Sequence, residues 1–431
     1  MRRNFVILVV LVVAAASCGW ARPRFDVANS GANPFETSIS VANVNTLTKQ
    51  YTATPPIVGL PQTAVSNGFL YADQYAFDAA GVTGCDTNLK TCQPLWTSGG
   101  GQPDIDGSVL FHSRNAYDPG GVVGCSGTPL VCAPLWTGDS STPVGSTDSS
   151  ALHFAIYGTG GHGSTALTVA GYSRNGDVGC GGTPKICSAR WSALVYSGIA
   201  AVNVGLAGPQ AGTLFVSIAS PNGGVLQARD ATDATGSVLW TAALGTNGGT
   251  RAPVLANGLV FVHRSTSSTQ SVAAYSSDGV AGCSGAPKVC TPLWTTDDSA
   301  VGYPDAAVAV AGGRMYRATG TQLRVYDAAG VSGCSGAPKV CAPLWSATVG
   351  GNGSAPPAAP AVANGVVYAG ADDGTVRAFD ATGTTGCAGT PKVCAPLWTT
   401  KVSGIVGPLE VANGRLFVPT SAGNVNAFAL P

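Results

Sequence analysis

An all-β fold, an eight-bladed β-propeller of four-stranded antiparallel blades, is predicted by three observations. The first is a hairpin unit that recurs along the chain: an aromatic-Asp or equivalent pair, a Gly-rich turn, Cys-x6-Cys, then Pro-Leu-Trp or a close variant. It occurs at 76–96, 116–136, 171–191, 274–294, 325–345 and 378–398, and a seventh copy at 228–240 keeps the strands and Trp but lacks both cysteines. Repeats of roughly 40 to 55 residues with several short β signals each indicate a ring or array of blades. The second is composition: the 431 residues include 59 Gly and 28 Pro, and only 10% are charged, the profile of a turn-rich β protein. The third is what the repeats leave over. Residues 406–429 supply three strands and the segment Asn45–Ala53 supplies one, so the two ends together complete an eighth blade and leave no unpaired edge at the seam.

Taken in order, the chain opens with Met1-Arg2-Arg3 and the apolar run Phe5–Ala16, the pattern of a secretory signal over residues 1–18. The run is too short to span a membrane. Ala15-Ala16-Ser17-Cys18 resembles a lipobox, in which Cys18 is the lipidation site and carries the anchor of the mature protein. The alternative is ordinary cleavage nearby, which discards Cys18. A leading segment, 19–44, precedes the single propeller of 45–431.

Blades are expected at about 62–98, 103–138, 150–193, 198–242, 252–296, 305–347 and 356–400, with 406–429 plus 45–53 forming the last. In the clearest repeat, Asn364-Gly365 and Asp373-Gly374 supply the tight turns between the first three strands, as both dipeptides favour type I′ hairpins. The first turn recurs at Asn67-Gly68, Asp106-Gly107, Ala211-Gly212, Asn257-Gly258, Gly312-Gly313 and Asn413-Gly414.

Of the 13 cysteines, one is Cys18 and twelve form pairs of identical spacing: Cys85/Cys92, Cys125/Cys132, Cys180/Cys187, Cys283/Cys290, Cys334/Cys341 and Cys387/Cys394. Each pair straddles a hairpin loop joining the third strand to the fourth and is expected as a disulfide of an exported protein. Closing a loop of about eight residues contributes on the order of 2.5 kcal/mol in the chain-entropy model. Metal binding is disfavoured: structural zinc needs four convergent ligands, whereas each pair is expected to sit alone at its blade's outer edge with no His nearby.

The repeat resembles the PQQ-like, or quinoprotein-alcohol-dehydrogenase-like, family of eight-bladed propellers. Its A-x-D-x-x-T-G-x-x-x-W pattern is matched by Ala378-Phe379-Asp380…Gly383…Trp398 and by Ala228-Arg229-Asp230…Thr235-Gly236…Trp240, with altered spacing between Asp and Gly. The stretch Trp20–Val44 is similar to the mature start of secreted members. The resemblance implies that the repeated Trp packs between blades, a role assigned to Trp96, Trp136, Trp191, Trp240, Trp294, Trp345 and Trp398. It also implies how an enzyme of this fold would work: PQQ and Ca²⁺ held by a Glu and an Asn, an Asp base, and adjacent cysteines over the cofactor.

The residues that would carry such chemistry are sparse. No two cysteines are adjacent, and the two Glu are Glu36 in the leading segment and Glu410 in an inner strand. The innermost strands, TAVSNG, PVLANG, VAVAGG, PAVANG and LEVANG, offer small apolar side chains to the channel. Asp104-Ile105-Asp106-Gly107 reads as turn chemistry rather than a calcium loop. The recurring Asp78, Asp118, Asp230, Asp327 and Asp380, replaced by Ser173 and Ser276 in two copies, read as caps of backbone N–H groups.

His112 and His263 fall near the ends of second strands, where they could share a face; His153 and His162 have no metal spacing. Gly158–Gly163 lacks the following helix that would hold a phosphate. Lys90, Lys185, Lys288, Lys339 and Lys392 recur within the cysteine loops as a dispersed basic rim. Equal numbers of acidic and basic residues give no footprint for nucleic acid.

These readings combine into an exported, non-catalytic binding or scaffold protein of the cell envelope, expected to be monomeric. Its partner would be an envelope protein or polymer, and it would touch the membrane only through the N-terminal lipid. No catalytic residue, metal or cofactor is expected, and the family resemblance adds envelope protein assembly as a role by analogy of fold. The alternative is a PQQ- and calcium-dependent dehydrogenase with a divergent pocket.

Overall fold

The computed structural model describes residues 19–139, 143–148, 152–159, 165–198, 203–220, 223–246, 251–265, 270–297 and 306–431. The expected signal segment and Cys18, as well as His162 and most of the Gly158–Gly163 run, lie outside them. The chain forms an all-β, eight-bladed propeller. Among the described residues, helix is confined to a 3-10 turn at Val44–Thr46, and no helix is long and apolar enough to cross a membrane.

Each blade begins with a short strand beside the central axis, such as Thr63–Ser66, Ala361–Ala363 or Glu410–Ala412, and steps outward through tight turns to the Trp strand. The eighth blade joins both ends of the chain. Thr48–Ala53 pairs antiparallel with Asn424–Ala429, matching Thr48 to Ala429 and Ala53 to Val425, and so closes the ring. This strand starts three residues later than expected from sequence because Val44–Thr46 are wound into the 3-10 turn. In the second blade, strand Pro103–Asp106 takes in Asp104 and Asp106, and the turn falls one residue later than expected.

The blades are larger than the expected four strands. Among the described residues, six of the eight sheets have six strands, one has five and one has four. The extra strands come from the cysteine hairpins, which do not stay in their own blade's sheet. Each reaches back and pairs in parallel with the outer strand of the preceding blade. Leu130 thus lies opposite Trp96, Ile186 opposite Thr137, Val289 opposite Thr241, Lys339 opposite Trp294 and Val393 opposite Ser346. The hairpin of the first blade crosses the seam to Thr52 and Ala53. The third blade keeps four strands because its successor is the cysteine-free repeat. The seventh gains its fifth strand on the inner side, where Ala32–Asn33 runs parallel to Ala361–Ala363.

This docking corrects the expected position of the cysteine pairs in part: they lie at an outer edge, but at that of the preceding blade's sheet, and they do not sit there alone. The first cysteine of each pair, Cys85, Cys125, Cys180, Cys283, Cys334 or Cys387, is partly exposed. The second, Cys92, Cys132, Cys187, Cys290, Cys341 or Cys394, is buried in the interface with the preceding blade. Cys132 shares an apolar cluster with Trp96, Cys187 with Trp136, Cys290 with Trp240, Cys341 with Trp294, Cys394 with Trp345, and Cys92 with Tyr51. The reason is the parallel pairing, which lays the second cysteine's strand along the neighbour's outer strand and turns its sulfur into that blade's core. A bridged cysteine is a small apolar group and is stabilised by such burial.

Apolar side chains pack between neighbouring blades, as where Tyr71, Trp96, Ile105, Leu110 and Tyr117 meet at the first interface. The seven repeated tryptophans are all buried. Six of them receive the glycine of the next blade's turn on the indole, Trp191 taking Gly236 at its six-membered ring and the other five at the pyrrole edge. A Cβ on Gly121, at φ +66°, would stand 2.4 Å from Trp96 Cδ1, and Gly176, Gly279, Gly330 and Gly383 approach Trp136, Trp240, Trp294 and Trp345 in the same way. Only glycine combines this positive φ with so close an approach. The neighbouring Asp shapes the same turn: Asp118 accepts from the backbone N–H groups of Gly120, Val122 and Val123. Where Ser replaces it, Ser173 and Ser276 donate to Asp177 and Asp278.

The eighth blade has an aromatic at this position too. Gly81 packs on the ring of Tyr51, whose hydroxyl donates to the Ala79 carbonyl at 2.9 Å. Lys49-Gln50-Tyr51-Thr52 thus stands where Pro94-Leu95-Trp96-Thr97 stands in the first blade, a correspondence the Trp-centred reading passes over.

Candidate functional site

The innermost strands of a propeller present unpaired backbone groups to the channel, and buried backbone groups need partners. The leading segment provides them. Trp20 exchanges hydrogen bonds with Val65 at 2.6 and 2.7 Å, and the carbonyls of Ala21, Val27, Ala28, Ser30 and Gly31 accept from Ile105, Gly208, Leu255, Val310 and Val362. Asn33 Nδ2 donates to the Val411 carbonyl at 2.8 Å, and Asn29 Nδ2 to those of Leu206 and Pro253. Residues 20–33 therefore coil inside the channel and bond the inner strands of blades 1, 2, 4, 5, 6, 7 and 8. The bonds fall near the first tight turn of each blade, so this plug closes that end.

Among the described residues, the other end is open. Beyond the plug lies a central cavity of about 650 Å³, floored by Arg22, Arg24 and Asn29 and walled by residues that precede the inner strands. The expected channel, lined by small apolar strands, is thus corrected: Arg22 and Arg24 arrive from the leading segment, and Asp104 comes from the inner strand of the second blade. Arg22 forms an ion pair with Asp104 at 3.0 Å, both side chains being almost wholly buried. Arg24 donates from Nη1 to the Pro360 carbonyl at 3.1 Å and from Nη2 to that of Val308. Burial lowers the Arg24 pKa to about 10, against the opposing pull of Asp26. Arg251 adds a third guanidinium to the wall, and apart from Asp104 no carboxylate lines this cavity among the described residues.

The plug backbone is contorted to place these groups. Arg24 and Phe25 have φ of 70° and 79°, a region bulky residues rarely occupy. Such strain persists only where the surroundings over-determine it, and here the carbonyl partners, together with the Trp20–Phe25 edge contact at 5.3 Å, do so.

Glu410, the ionisable group expected to face the channel, instead turns between blades 8 and 1. Its Oε1 accepts from Thr63 Oγ1 at 2.8 Å, and burial raises its pKa well above the ordinary value, the Thr63 bond opposing only in part. It occupies the same repeat position as Asp104, where other blades carry Ala64, Val254, Ala309 or Ala361. Glu36 is buried and accepts from the N–H groups of Ser38 and Gly414.

His112 and His263 do not share a surface, as both are buried within their blades. Burial lowers the His112 pKa to about 4, and its Nδ1 pairs with the Gly101 carbonyl. His153 stacks on Phe111 at 3.8 Å. The rim lysines are exposed, but their backbone carbonyls hold the hairpins in place: those of Lys90, Lys185, Lys288 and Lys392 accept from Thr52, Thr137, Thr241 and Ser346 of the preceding blade. Lys339 and Lys392 also donate from Nζ to the carbonyls of Gly330 and Gly383 in their own turns.

All twelve repeat cysteines are bridged as spaced: Cys85–Cys92, Cys125–Cys132, Cys180–Cys187, Cys283–Cys290, Cys334–Cys341 and Cys387–Cys394. None of these sulfurs is left as a thiolate to ligate a metal. A calcium-bound quinone needs several oxygen ligands, carboxylates among them, to converge. Among the described residues, the central cavity presents three arginines and one carboxylate already engaged by Arg22, a donor set that does not fit such a centre. Among the described residues, no group of three or more His, Cys, Asp or Glu could hold a metal ion.

No protein-family model and no curated protein matches the sequence. Solved structures do match in fold. The computationally designed Ika8 protein is 12% identical with a TM-score of 0.54, over 88% of this chain and 99% of that one. BamB from Moraxella catarrhalis is 14% identical with a TM-score of 0.51, over 89% and 97%. At these identities the likeness concerns the fold alone.

Proposed function

We propose that this chain is an exported propeller of the PQQ-like repeat kind that binds an envelope protein through its open face and performs no chemistry of its own. The observation that carries this reading is the plug. By filling one end of the channel with its own leading segment, the molecule leaves one face compact and gives the other a blind, arginine-floored cavity. Six disulfides in a chain with a secretory start support an oxidising, extracytoplasmic setting.

The plug also sets an orientation. Gly19 accepts from Asn33 Nδ2 and Trp20 is fixed to Val65, so a lipid on Cys18 would emerge beside the closed face. That face would then lie toward the membrane, with the cavity facing away from it.

The test is site-specific photo-crosslinking in cells that make the protein. The photoreactive group is placed at Val58 or Ile405 on the open face, or at Val41 on the closed one. The reading expects a discrete protein adduct from the open face and none from Val41. Adducts from Val41 alone would overturn it, as would PQQ- and Ca²⁺-dependent alcohol oxidation by the purified protein with an artificial electron acceptor.

A further inference from the structure

We infer that the central cavity is a binding site for a carboxylate carried on an apolar body, with the Arg24 guanidinium as the group that recognises the anion. The cavity's volume, about 650 Å³, lies in the range of small-molecule pockets. Among the described residues, the charge balance of its floor is incomplete. Arg22 is answered by Asp104. Among the described residues, Arg24 is hydrogen-bonded to two neutral carbonyls, which use two of its five N–H donors, and Asp26 acts on it without forming an ion pair.

The nearest carboxylate on the same segment, Asp26, is committed to the Ser30 N–H and hydroxyl and lines a separate cavity of about 450 Å³ on the closed face. A buried cation without an ionic partner is costly, and an anion entering from the open end would supply the partner. The planar guanidinium suits a carboxylate, and Arg251 also lines the cavity. Leu60, Ile156, Leu206 and Val406 make the walls apolar, so the body behind the carboxylate should be apolar too. A free organic acid and the C-terminus of an extended chain share this chemistry.

The inference deepens the binding-protein reading and rests on it. The experiment is calorimetric titration of the purified protein, disulfides intact, with two matched pairs. One pair is indole-3-acetate and indole-3-acetamide; the other is a short peptide ending in Leu-Phe, with a free or an amidated C-terminus. At least one acid is expected to bind more tightly than its amide by roughly tenfold or more, and the stronger pair identifies the source.

Arg24→Met should abolish the preference for the acid, and Arg251→Gln should weaken acid binding several-fold. If Arg24→Met does not fold, Arg24→Lys should retain the preference with weaker binding, because the charge stays but the fork is lost. No binding of either acid below about 1 mM, equal binding of acid and amide, or unchanged acid affinity in the folded Arg24 and Arg251 variants would overturn the site. Alcohol oxidation with PQQ would retire the binding-protein reading while leaving the acid-over-amide preference to be read independently.

Discussion

At Glu410, a carboxyl group sits between two blades with one hydroxyl for company. Burial favours its neutral form, so its folded pKa is raised and the folded state keeps a proton the unfolded chain releases. Stability must therefore fall as pH rises above the unfolded carboxylate's value, about 4.3, and level off beyond the raised folded value, losing about 1.4 kcal/mol for each unit of the shift. Glu410→Gln removes the titration. Its melting temperature should exceed that of the parent at pH 8, with the gap closing toward pH 4; a constant gap across this range would contradict the assignment. Glycine gives a second test at this scale. Gly258→Ala meets nothing within 4 Å and should cost only the left-handed backbone, about 1 to 2 kcal/mol. Gly121→Ala, whose Cβ would strike Trp96, should lose roughly a further 1 to 3 kcal/mol in denaturant titration.

The cysteine hairpin gains its meaning at the level of the element. Its disulfide closes a local loop, but the strand it stiffens belongs to the sheet next door, so each hairpin clasps its predecessor. The Cys283→Ser, Cys290→Ser double variant should lose about 2.5 kcal/mol of stability by loop entropy. Its diagnostic effect is local: hydrogen exchange should speed up at the amide of Thr241, which donates to the Lys288 carbonyl from the preceding blade. Protection that changed only within blade 5 would show that the clasp does not act across the interface. The repeat spacing revealed the hairpin and its disulfide, because both are local. It did not reveal the partner strand, 34 to 49 residues earlier in the chain, or that Cys132, Cys187 and Cys341 would be buried beside the previous blade's Trp.

Across the whole molecule, the leading segment ties together blades that are far apart in sequence. Trp20 is 1% exposed and bonded to Val65, while Gly31 accepts from Val362. Trp20→Ala should cost roughly 3 to 5 kcal/mol by loss of the buried indole, and it should release the plug, read as proteolytic cleavage within residues 20–33 under conditions where the parent resists. If the variant lost stability without exposing that segment, the indole would be core filling rather than the plug's anchor.

Periodicity by itself determined the ring: the spacing of Gly, Cys and Trp fixed the blades, and the leftover strands at the two ends predicted the closure that Thr48–Ala53 makes with Asn424–Ala429. These features were legible because each rests on contacts within a hairpin or on counting strands. The aromatic of the eighth blade, Tyr51, was missed only because the motif was defined by Trp. Tertiary structure alone decided where the hairpins dock, what fills the channel, and that Arg22, Arg24 and Asp104 meet in one cavity. The reason is physical. The channel's backbone groups accept any segment that satisfies them, and a carbonyl leaves no signature in the side chains of the segment that supplies it.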